Sequence, residues 1–169
     1  VWPMFRRRVR LQPDSRWRPS QPHQGPSSGR LPNRRRAQGV DATQAVISIR
    51  GRGIRVSGLT VTGGLEGVLV ADGAFVLIEG STIRVNAGYG IQLVGNSTAR
   101  IGNNLIENNQ FGGIFVNSNS TALIGAFSGN DLVASPNTIR NNAGGGVGVT
   151  RSSVGRIVGN TITGNQGPG

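Results

Sequence analysis

The chain has 169 residues, with 28 Gly, no Cys, and 18 basic residues against 7 acidic ones, a net charge of +11. Its length fits one ordinary domain. Gly at this density argues against a helical bundle, since each helix-interior Gly costs about 1 kcal/mol, and the lack of Cys excludes disulfides and thiolate metal sites.

The charge is unevenly placed. Residues 1–44 hold ten of the Arg residues, most of the Pro, and no hydrophobic periodicity. Such a segment cannot bury enough apolar area to offset its ordering entropy, so it is expected to be disordered. An out-of-frame origin for this stretch fits its composition equally well. No apolar run follows its basic start, so no secretory signal is visible, and no stretch reaches the roughly 18–20 apolar residues of a membrane span.

From Ala45 the text repeats, and repeats outrank other signals. Blocks ending in Gly start at Val46, Val68, Ile91, Ile114 and Val147, with lengths of 22, 23, 23, 33 and 23 residues. Each block carries a first aliphatic pair at alternating positions (Ile47/Ile49 to Val147/Val149) and a second (Ile54/Val56 to Gly155/Ile157). A shorter third strand is anchored by Val61, Ile83, Ile106, Ile139 and Ile162. Alternation is the period of a strand. Three strands in about 23 residues leave no room for βαβ crossovers, which need a dozen residues or more. The chain must coil so that each strand pairs with its copy one turn later. The expected fold is all-β: a right-handed parallel β-helix of about five coils over residues 45–169, preceded by the disordered segment.

Stacking at about 4.8 Å turns equivalent positions into columns. Asn104, Asn137 and Asn160 form one, and Asn86, Asn109, Asn142 and Asn165 another. Their amides are expected to hydrogen-bond along the stack, a structural role because they recur at the repeat period. Arg84, Glu107, Arg140 and Thr163 share a third position, a ladder of alternating charge expected to be exposed and worth 0–1 kcal/mol per pair.

The segments GNNLIENNQFGGIFV, SPNTIRNNAGGGVGV and VGNTITGNQ resemble the parallel β-helix repeat of pectate-lyase-like proteins, and VISIRGRGIRVSGLTVTGG resembles early coils of bacterial proteins of this type. The resemblance covers about residues 46–169. It implies polysaccharide-related enzymes, surface adhesins or accessory proteins, an extracellular or cell-surface location, and a groove on the outer face of the first strand.

That face carries Ser48, Leu69, Gln92, Phe115 and Gly148, followed by Arg50, Ala71, Val94, Asn117 and Thr150. Neither the convergent carboxylates of a calcium site nor the carboxyl pair of a glycosidase, ~5–9.5 Å apart, is visible on it. No catalytic residue, cofactor or metal site is therefore assigned. Gln92, Phe115 and Asn117, with Asp131 in the ten-residue insertion near 126–136, are the candidate ligand-binding residues. His23 stands alone, and Gly144–Gly146 lacks the Lys-Ser/Thr of a phosphate loop.

The leading reading is a carbohydrate-associated or cell-surface structural β-helix module without its own catalytic site. The alternative is a fragment of a polysaccharide-active enzyme (lyase, hydrolase or epimerase) whose catalytic coils are missing. A third is anionic-polymer binding through the Arg-rich tail. Expected partners are polysaccharide and, through open helix ends, further copies of the chain. Specific nucleic-acid recognition is not expected.

Overall fold

A computed structural model describes residues 35–127 and 133–167. The expected disorder of the N-terminal segment falls, for residues 1–34, outside the described residues. The described chain is a parallel solenoid of five coils, each contributing one strand to each of three sheets.

The first sheet stacks Ile47–Ile49, Val68–Val70, Tyr89–Leu93, Gly112–Val116 and Val147–Val149. The second stacks Arg52–Ser57, Phe75–Glu79, Thr98–Gly102, Thr121–Ile124 and Val154–Ile157. The third stacks Leu59–Thr62, Thr82–Arg84, Leu105–Glu107, Thr138–Arg140 and Thr161–Thr163. All three aliphatic columns lie in the expected register, for example Val68 beside Ile91, Ile78 beside Ile101 and Ile106 beside Ile139. The inward members of coils two to four are almost completely buried. Each such Val or Ile contributes roughly 1.5–3 kcal/mol by leaving water.

One boundary is corrected. The Arg/Pro-rich segment was expected to run to residue 44, yet Arg35–Gln38 forms a strand that pairs in parallel with Leu59–Thr62. Ala37 sits beside Val61 and is buried, so one small residue extends the third aliphatic column despite its polar neighbours.

The corners are held by polar columns. Asn104 Nδ2 donates to Asn137 Oδ1 at 3.0 Å, and Asn137 Nδ2 to Asn160 Oδ1 at 2.8 Å. Asn86, Asn109, Asn142 and Asn165 repeat this at 2.9, 3.0 and 2.9 Å. Each acceptor oxygen also takes the backbone N–H of the Asn one coil before it, for example Asn109 N–H to Asn142 Oδ1. The buried amides are thereby satisfied. A third column was not foreseen: Ser97 N–H donates to Ser120 Oγ, and Ser120 N–H to Ser153 Oγ, both at 3.2 Å. The charge ladder has the expected register, and Arg140 pairs with Glu107 at 2.9 Å. Its expected exposure is corrected, because the Glu107 side chain is only 10% exposed.

Candidate functional site

The glycine that closes each of the first four blocks has a structural cause. At Gly67, Gly90, Gly113 and Gly146 a β-carbon would stand 2.4–2.7 Å from Cγ2 of Ile83, Ile106, Ile139 and Ile162 respectively. These glycines therefore face inward at the corner between the third and first sheets. The next residue, Val68, Ile91, Ile114 or Val147, also joins the core. Two inward positions in succession shift the alternation by one. The residue before each glycine then turns outward, which places Glu66 and Tyr89 on the first sheet's outer face, with Gly112 at the same place one coil on.

An aromatic cluster follows from this shift. The rings of Tyr89 and Phe115 stack with centroids 4.6 Å apart and planes 7° from parallel. Phe111, from the preceding corner, meets Tyr89 edge-on at 5.8 Å. Both arrangements are favourable for aromatic quadrupoles, worth about 0.5–1.5 kcal/mol beyond burial. Glycines make room for them. A β-carbon at Gly112 would lie 3.2 Å from the Tyr89 ring, and one at Gly148 would lie 3.0 Å from the Phe115 ring. Each ring thus leans over the following coil. Phe111 remains 61% exposed, while Tyr89 and Phe115 are half-buried.

Polar groups border the rings. Gln92 is the register partner of Phe115. Gly88 N–H donates to the Leu65 carbonyl at 2.6 Å, and the Gly88 carbonyl accepts from Phe111 N–H at 3.0 Å. This links Leu65, Gly88 and Phe111 across three successive coils, beside Glu66 and Tyr89. Glu66 Oε1 lies 3.5 Å from where a Gly88 β-carbon would be. Burial raises the Glu66 carboxyl above its ordinary pKa, opposed by a smaller effect of its own backbone N–H. Among the described residues no cation forms an ion pair with it. Ion pairs among the described residues lie elsewhere, for example Arg50 with Asp72, Arg55 with Glu79 and Arg140 with Glu107.

Of the candidate residues, Gln92 and Phe115 are brought together. Asn117 stands at the far end of the strand, where its Oδ1 accepts from Ser118 N–H at 2.8 Å and from Thr150 Oγ1 at 3.4 Å. Its oxygen is committed to the turn. Asp131 lies outside the described residues. Glu66, Tyr89 and Phe111 were missed, because strict alternation counted from Val68 or Ile91 sends Glu66 and Tyr89 inward. The signal available was the Gly that recurs at the start of the first strand in coils two to five (Gly67, Gly90, Gly113 and Gly146). No group of three acidic, His or Cys side chains that could hold a metal occurs among the described residues. A shallow cleft of about 230 Å³ between Ala42, Gly64, Val85 and Gln110 contains no charged side chain.

The parallel coils agree with a comparison to family models, in which the model described as "Right handed beta helix region" matches residues 40–169. The chain belongs to the right-handed β-helix family. Neither the curated proteins nor the solved structures give a match. Among the described residues no helix is long and apolar enough to cross a membrane.

Proposed function

We propose that the β-helix is a carbohydrate-associated, surface-structural module that binds sugar rings on the outer face of its first sheet and does not turn them over. The observation that carries this reading is the Tyr89–Phe111–Phe115 cluster with Gln92 at its edge. Exposed aromatic surface flanked by a few polar groups is the usual composition of a small-ligand site, and a contiguous apolar patch on an otherwise polar face marks an interaction surface. The apolar faces of a sugar ring can cover the exposed ring surface while its hydroxyls reach the Gln92 amide.

One observation favours the alternative of a polysaccharide-active enzyme. Burial moves the Glu66 carboxyl upward from its ordinary pKa, the direction a general acid needs. It lacks a partner. Asp72 is six residues further along the chain, past the first strand of coil two, roughly 15–20 Å at strand rise, well beyond the ~5–9.5 Å of paired catalytic carboxyls, and it is paired with Arg50 at 2.8 Å. The module reading therefore stands first.

The test is a nuclear magnetic resonance titration of the chain with oligosaccharides, run beside turnover assays on pectate, alginate and polygalacturonate with and without calcium. Expected are shifts around Tyr89, Gln92 and Phe115 with millimolar Kd, about −4 kcal/mol, lost in Tyr89→Ala and Phe115→Ala, and no product. Product formation that disappears in Glu66→Gln would replace the module with an enzyme.

A further inference from the structure

We infer that the face selects uncharged sugar residues and discriminates against uronates, with Glu66 as the residue that sets the preference. The inference deepens the proposed function and rests on it. Three observations carry it. Glu66 stands on the same face as the aromatic cluster, one coil before Tyr89, with its carboxylate over Gly88 and next to the corner from which Phe111 projects. No cation neutralises it among the described residues. The outward positions around the rings hold Leu69, Gln92, Gly112 and Gly148, none of them basic. Arg50, just past the first strand of coil one, is committed to Asp72, Arg52, Arg55 and Arg84 stand on the second and third sheets, and Arg151 is at the far corner of coil five.

A sugar carboxylate brought against the rings would meet an unpaired, half-buried carboxylate and no counter-charge. Like charges a few ångströms apart repel most where water is partly excluded. A neutral ring meets no such opposition, and the Glu66 oxygens can accept its hydroxyl hydrogens, a charge-assisted and therefore stronger bond. Specificity here comes from a repulsive element as much as from contact.

The full chain is titrated with neutral hexasaccharides of glucose, xylose, mannose and galactose, and with hexagalacturonate and hexaguluronate, at neutral pH and low salt. The best neutral hexasaccharide is expected to bind at least tenfold more tightly than either uronate, equivalent to about 1.4 kcal/mol. Glu66→Gln should narrow that ratio at least threefold by strengthening uronate binding, and 0.5 M salt should narrow it in the wild type. Uronates that bind as tightly as the neutral sugars, or a ratio untouched by Glu66→Gln in a variant that melts like the wild type, would overturn the inference and leave the binding module intact. Silence with every oligosaccharide at millimolar concentration would remove the binding module itself.

Discussion

Val85 is held at φ 54°, in the left-handed region, with a β-branched side chain. The equivalent residues in the other coils are Gly63, Asn108, Asn141 and Gly164, also at positive φ. Gly and Asn tolerate that region, whereas a β-branched residue is strained there by roughly 1–2 kcal/mol. Val85 is 56% exposed, so little burial is lost on replacement. Val85→Asn is expected to stabilise the β-helix by about 1 kcal/mol and raise Tm by a few degrees; an unchanged or lower Tm would show that the side chain packs better than its exposure implies. Glu66 adds a pH-dependent term. Its folded pKa is raised by burial, so its contribution is fully present below the unfolded carboxyl pKa and is lost as pH rises through the folded value. Glu66→Gln should therefore leave Tm unchanged near pH 3.5 and raise it at pH 7. Equal melting at both pH values would mean that the carboxyl is fully hydrated.

At the scale of elements, strands and corners differ in how far the sequence exposes them. The aliphatic pairs from Ile47/Ile49 to Val147/Val149 were legible because alternation and a 23-residue period act together on the same residues. The Asn columns were legible for the same reason. The Ser97–Ser120–Ser153 column was not, since Ser is common in any turn and its earlier counterpart in coil two is Ala74. The corner after the first strand uses two consecutive left-handed residues, Asp72–Gly73, Gly95–Asn96, Ser118–Asn119 and Arg151–Ser152. The first three pairs contain Asn or Gly, which advertise the conformation. Arg151–Ser152 does not, and there the stack dictates the turn: Asn119 N–H donates to the Arg151 carbonyl at 3.1 Å.

For the molecule as a whole, each coil is stabilised chiefly by its neighbours, as in other solenoids. Ile106 is completely buried in the middle coil, between Ile83 and Ile139. A lone carboxylate there has no counter-charge, which costs several kcal/mol, so Ile106→Asp should abolish cooperative unfolding of the β-helix. Asn165 is in the fifth coil, half-buried, and accepts from Asn142. Water can replace part of that, and Asn165→Ala should cost about 1 kcal/mol. Thermal melts that ranked the two the other way would contradict the register.

The sequence by itself determined the solenoid, its five coils, the inward aliphatic register and the Asn columns. Each of these is a local pattern repeated at a fixed period, and stacking only copies it. The tertiary structure alone decided which further residues join Gln92 and Phe115 on the outer face. Whether Glu66 and Tyr89 point in or out depends on the inward glycine at the corner, whose place is set by Ile83 and Ile106 on the third sheet. Whether Tyr89 can stack on Phe115 depends on Gly112 and Gly148, one coil further on. These relations join residues about one coil apart through side-chain volume, and no period within a single block encodes them.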